Sequence, residues 1–140
     1  MKLVLDTNIL IAALIKNSIT REILLHPEIE CFVSEFLINE VDIFKDEILR
    51  KSGLSKENFE ELLEKIKEKL IFIPDEEIQH KEEATRIMAS IDIKDSIFVA
   101  LALTMKNDGI WSEDKHFQKQ NRIKVWKTKD LINYLGITHA

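Results

Sequence analysis

Short apolar runs of strand type alternate with helix-type segments along the whole chain. That alternation dictates a parallel sheet with helices on both faces. The strand-type runs are Lys2–Asp6, Cys31–Ser34, Ile71–Ile73, Gly109–Ser112 and Ile123–Trp126. Helical patterning fills the intervals: Thr7–Lys16, Ile19–Leu25, Ser34 to Lys51, Ser55 to Lys69, Asp75–Ala89, Lys94–Lys106, Asp114–Gln120 and Thr128–Leu135. Gly53, Pro74 and Gly136 punctuate it as helix and strand stops. The expected fold is α/β, a three-layer α/β/α sandwich around a central parallel sheet of about five strands with Rossmann-like topology.

With 140 residues and no repeat, low-complexity tract or linker, one domain spanning 1–140 is expected. A chain of this length buries about two-thirds of its unfolded surface, so it needs no covalent staple. Its one cysteine, Cys31, sits in an apolar strand and reads as a buried thiol, which fits a reducing cytoplasm. The first residues carry one lysine and reach Asp6 at once, unlike a signal peptide. The apolar run Ile9–Ile15 is too short to span a bilayer, so no membrane is expected.

A parallel sheet binds its ligands beyond the carboxyl ends of its strands. Asp6 ends the first apolar run and Asp114 follows Ile110-Trp111-Ser112-Glu113. Asp95 opens a helix apolar nearly all round, and Glu40 sits within another helix. Each has an ordinary explanation. Asp6 and Thr7 suit a helix N-cap, as does Asp114. Asp92 and Asp95 suit a cap and a first helical turn. Glu40 lies about 60° from the centre of the stripe Leu37, Val41, Phe44 and Ile48, where a stem packs and a carboxylate reaches water. Glu113 competes with Asp114 but follows the strand closely enough to point aside. Their coincidence at several strand ends asks for more. Converging carboxylates repel unless a cation or shared protons compensate, and a cluster of oxygen ligands suits Mg²⁺ or Mn²⁺. The chain reads as a metal-dependent enzyme acting on phosphate.

The first strand-to-helix turn has no glycine, which argues against a dinucleotide, and no P-loop is present. The net charge is −5, yet Lys115, Lys119, Arg122, Lys124, Lys127 and Lys129 lie in a stretch without an acid. Such a strip can attract phosphate, or be a solvated face. Histidines 26, 80, 116 and 139 form no metal-ligand spacing, and His116 reads as part of the basic strip.

Four segments carry a family likeness: Leu3-Val4-Leu5-Asp6-Thr7-Asn8, Val33-Ser34-Glu35 continuing to Glu40, Lys94-Asp95 leading into Ala100-Leu101-Ala102, and Trp111-Ser112-Glu113-Asp114-Lys115-His116-Phe117. With them the chain resembles the PIN-domain family of metal-dependent ribonucleases from residue 2 to about 135. The resemblance implies that Asp6, Glu40, Asp95 and Asp114 are catalytic, and that Asp6, Asp95 and Asp114 hold the Mg²⁺ or Mn²⁺. Asn8, Ser112 and Asp92 would be supporting polar groups around them. It implies an RNA substrate, reached along Lys115, Lys119, Arg122 and Lys124, and hydrolysis by metal-activated water. Many small members are toxins of VapBC-type pairs, which implies an antitoxin partner and a homodimer in the cytoplasm. Ser112 stands where many members have threonine, and Ser96 replaces a small apolar residue. Two other classes share some of these features. A phosphatase of haloacid dehalogenase type expects a second aspartate where Asn8 stands. A non-catalytic PIN-fold module binding RNA or protein would not need its acids intact.

Overall fold

The computed structural model describes residues 1–138. Five strands form one sheet in the order β3-β2-β1-β4-β5, every pair parallel. They are β1 (Lys2–Leu5), β2 (Glu30–Ser34), β3 (Leu70–Ile73), β4 (Ile110–Trp111) and β5 (Val125–Trp126). β1 is central: Leu3, Val4 and Leu5 are fully buried, as a strand covered on both faces requires. Cys31 is buried on β2, and burial pushes its thiol up to about 12.

The helices are α1 (Thr7–Ile15), α2 (Ile19–Leu24), α3 (Glu35–Ile43), α4 (Lys45–Ser52), α5 (Lys56–Lys67), α6 (Lys81–Met88), α7 (Ser96–Thr104), α8 (Lys115–Gln118) and α9 (Thr128–Leu135). α1 packs with α2, α3, α4 and α5, while α6 packs on α7, which lies over β1, β2 and β4. The expected α/β/α sandwich is what forms. Among the described residues no helix is long and apolar enough to cross a membrane. His139 lies outside the described residues.

Two helices expected from the pattern are divided. The segment from Ser34 to Lys51 breaks at Phe44, which ends α3 and begins α4. The break turns Ile43 and Phe44 outward and returns Ile48 to the core. The segment from Asp75 to Ala89 forms only a 3₁₀ turn, Asp75–Glu77, before α6. Ile78 is buried there, and the Gln79 backbone N–H donates to the Thr104 hydroxyl at 2.9 Å. That long-range bond takes a donor a continuous helix would have used internally, and His80 restarts the chain from a left-handed conformation, φ 60°.

Serines cap two of the helices. Ser34 Oγ accepts from Leu37 N–H and Ser55 Oγ from Asn58 N–H. Gly53 closes α4 at φ 68°, the left-handed conformation that suits glycine. Gly109 has a different constraint. It precedes β4 at φ 134°, and a Cβ there would run into the carbonyl of Lys124, the residue before β5. Gly109→Ala should therefore cost about 2–4 kcal/mol, whereas Gly53→Ala, with open space around it, should cost about 1–2 kcal/mol. Urea denaturation of the two variants checks the ranking; equal midpoints would contradict it.

Candidate active site

The order 3-2-1-4-5 places the switch of winding direction between β1 and β4, where the chains leave the sheet to opposite sides and a crevice opens. Asp6 is the first residue beyond β1 and stands at that crevice. Its backbone N–H donates to the Trp111 carbonyl of β4 at 3.3 Å, which ties it to the neighbouring strand end. Although it occupies the N-cap position of α1, its side chain makes no cap bond. One carboxylate oxygen accepts instead from the Ser112 hydroxyl at 2.6 Å. The Ser112 oxygen in turn accepts from the Asp114 backbone N–H at 2.9 Å. One buried hydroxyl thus fixes both strand-end aspartates.

A cleft of about 480 Å³ opens over this point, lined by Asp6, Asn8, Glu40, Asp92, Asp95 and Asp114 together with Thr7, Phe36, Lys94, Phe98 and His116. All four acids singled out in the sequence reach it, and Asp92 joins them. Glu40 arrives from α3. Its Oε1 accepts from the Thr7 hydroxyl at 2.7 Å, so a side chain of α1 aims a carboxylate of α3. Asp92 and Asp114 also cap: Asp92 accepts from Lys94 N–H at 3.0 Å and Asp114 from His116 N–H at 2.9 Å. For those two, capping and membership of the cluster coexist. Glu113 points away and accepts from Thr128 N–H at 2.7 Å.

His116 does not sit in a basic strip. Its Nδ1 lies 3.2 Å from Asp95, 3.4 Å from Asp92 and 3.4 Å from Asp114. Nδ1 donates to an ionised carboxylate when it carries the ring proton, and it is a free ligand atom when the other tautomer is present. Histidine spacing held no clue, because the three acids come from elsewhere in the chain; its place two residues after Asp114 was the available signal. Thr7 was read only as a cap, since its partner is 33 residues distant. Lys115, Lys119, Arg122 and Lys124, expected to meet RNA, are not among the residues lining the cleft. Arg122 pairs with Glu83, and Lys124 sits 4.0 Å over the Trp126 ring. Lys94 is the lysine that does line the cleft.

Burial raises the Asp6 pKa above its ordinary value. The Ser112 hydroxyl and the Asn8 main chain oppose the rise, and the charges of Asp114 and Glu40 add to it. Asp95 is raised likewise by burial, opposed by His116 and reinforced by Asp114, Asp92 and Asp6. These acids feel one another, which is the condition a divalent cation relieves. The donor set fits such an ion: carboxylate oxygens dominate, and Asp92, Asp95 and His116 each offer a ligand atom within 4.8 Å of the others.

The family model of the PIN domain matches residues 4–136. No curated protein matches the chain.

A raised carboxyl pKa means that the folded state binds more protons than the unfolded one. Stability of the metal-free protein should therefore fall as pH rises from near 4 through the raised values. A neutral amide removes that penalty. Metal-free Asp6→Asn and Asp95→Asn should be at least as stable as the parent at pH 7, while calorimetry shows Mn²⁺ binding sharply weakened. A large loss of stability in both variants would mean that the carboxylates hold the fold rather than a ligand.

Proposed function

Because the chain belongs to the PIN-domain family, we propose that it is a metal-dependent ribonuclease hydrolysing phosphodiester bonds in this cleft. The observation that carries the reading is the convergence of Asp6, Glu40, Asp92, Asp95 and Asp114 on one opening at the end of β1. A structural core has no use for such a group of acids. A phosphate substrate cannot enter it without a cation, so the cluster and the substrate class require the same partner.

In this reading Asp6, Asp95 and Asp114 would hold one or two Mg²⁺ or Mn²⁺ ions. Bound there, a divalent ion lowers the pKa of water and offsets charge on the scissile phosphate. Ser112 keeps Asp6 turned toward the ion site and keeps the Asp114 backbone in place. Glu40, steered by Thr7, offers a carboxylate on the α3 side of the cleft. That is a suitable position from which to orient or deprotonate an attacking water. Lys94 supplies the cleft's own cation for the phosphate group. The haloacid dehalogenase alternative lacks its second aspartate, since Asn8 occupies that position. A VapBC-type toxin, homodimeric and cytoplasmic, is the finer placement we favour within the family. An upstream-encoded protein that binds the chain and blocks cleavage is its test.

Incubation of the protein with single-stranded RNA and Mn²⁺ should give cleavage that EDTA abolishes. Asp6→Asn and Asp95→Asn should each lower the rate by about 10²-fold or more. Glu40→Gln should cost more than Asp92→Asn, because Asp92 has a backbone to cap and Glu40 has no such duty. Metal-independent RNA binding without cleavage would leave a binding module instead.

We place the flanking RNA along the strip from Lys115 to Lys129. Replacing Lys119, Arg122 and Lys124 together should weaken binding and leave Mn²⁺ uptake intact. The log–log salt dependence should become shallower by about 0.7 for each lost phosphate contact on a single strand. Arg122 is already engaged by Glu83, so its own share should be the smallest of the three. An unchanged slope would move the substrate to another face.

A further inference from the structure

Phe36 is a large apolar side chain left open in an acidic wall. It is the second residue of α3, one turn before Glu40, so ring and carboxylate share one side of the helix. It is 40% exposed. An isolated exposed phenylalanine needs no explanation, but this one lines the same cleft as Asp6, Glu40, Asp95 and Asp114. It is also held. Its ring meets Phe98 edge to face, centroids 6.2 Å apart at 75°, and Phe98 meets Phe117 at 6.0 Å and 87°. Phe98 and Phe117 are buried. The exposed ring is thus the outermost member of an aromatic chain rooted in the core, and it borders the acids that would bind phosphate.

We propose that Phe36 is the platform on which the base beside the scissile phosphate stacks, so that the cleft takes an unpaired nucleotide and rejects duplex. The proposal rests on the ribonuclease reading and names its substrate class. A phosphodiester drawn to the acid-bound cation brings its adjoining base within reach of the cleft wall. Every base has a π-face, so a lone aromatic ring selects for an available face rather than for a sequence. Bases within an A-form duplex are already stacked and its major groove is too narrow for side chains, so they cannot present that face. Of the other lining residues five are carboxylates, which cannot serve as a stacking surface; the two remaining rings are Phe98, which is buried, and His116, whose Nδ1 is engaged by Asp92, Asp95 and Asp114.

The test uses the full chain and a single-stranded RNA octamer carrying 2-aminopurine at each position in turn, with Ca²⁺ present to support binding without rapid turnover. Stacking on Phe36 should quench the fluorophore at one position. Phe36→Leu should lose that quench and weaken binding about 5-fold or more, the lower end of one base–aromatic stack. Phe36→Tyr should restore both. Mn²⁺ affinity should be the same in all three proteins, and a duplex of the same sequence should bind weakly to each. A quench that persists in Phe36→Leu, or equal affinity for duplex and single strand, overturns the platform while leaving the nuclease intact. Failure of the parent protein to bind any RNA, with Mn²⁺ binding retained, overturns the ribonuclease reading and the platform with it.

Discussion

Strand β1 is hydrogen-bonded along both edges. On one side Lys2, Leu3 and Val4 register against Glu30, Cys31 and Phe32; on the other Val4 and Leu5 register against Ile110 and Trp111. The Val4 N–H donates to the Gly109 carbonyl at 2.9 Å and the Asp6 N–H to the Trp111 carbonyl. A strand so enclosed is buried on both faces, and it can only leave the sheet at its end. Asp6 occupies that end, so the exit of the central strand and the position of the candidate site are one event. β4 is two residues long, with Gly109, pressed against the Lys124 carbonyl, just before it and Ser112 just after it. That short strand delivers Ser112 and Asp114 to Asp6 from the other side of the switch point.

The cost of this arrangement is electrostatic. Asp6 is almost wholly buried, at 5% exposure, and an isolated buried carboxylate is among the least favourable groups a protein can hold. Ser112 donates one strong bond to it. Asp95 and its neighbours Asp92 and Asp114 all lie within 3.4 Å of His116 Nδ1. These contacts offset the desolvation without cancelling it, since both Asp6 and Asp95 remain raised. Among the described residues no buried side-chain polar atom lacks a partner. The site is therefore well satisfied in hydrogen bonds yet short of positive charge, a state a hard divalent ion completes.

Much of the architecture was legible because it rests on local signals. The five strands follow from short β-branched and aromatic runs, and the end of α9 at Gly136 from a glycine stop. That Asp6 and Asp114 would meet at one cleft was legible because a parallel sheet brings its strand ends to one edge, and Glu40 and Asp95 reach the same cleft from α3 and the start of α7. What escaped was set by contacts between distant segments. Amphipathic spacing from Ser34 to Lys51 is continuous, and nothing local marks Phe44 as a break. The hydroxyl of Thr104 reorganises Gln79 from 25 residues away. His116 looked basic beside lysines, but its partners are acids that only the fold brings near. Local charge counting sees neighbours in sequence, while a titratable side chain responds to neighbours in space.

The same distinction bears on how a chain of net charge −5 would handle a polyanion. Acids such as Glu57, Glu60, Glu61 and Glu64 lie along α5, with Lys45–Glu60 and Lys67–Glu64 pairs among them. Exposed pairs of this kind add little to stability, and their field is screened beyond about 8–10 Å in physiological salt. The overall sign of the molecule therefore says little about the cleft. What governs approach there is the local balance: the acids, the cation they would hold, Lys94 beside them, and the neighbouring lysine-rich segment after Asp114. A single divalent ion on three carboxylates would leave the centre net negative, and Glu40 and Asp92 add to that, so the ion alone would not retain an extended strand. Contacts away from the reacting phosphate must supply the rest, from charge along the backbone and from apolar surface at the base. The open Phe36 ring and the 115–129 lysines are the two features outside the acid cluster suited to those two tasks. They would do so through interactions with opposite responses to salt, the charged contacts weakening as ionic strength rises and the stacking contact largely indifferent to it.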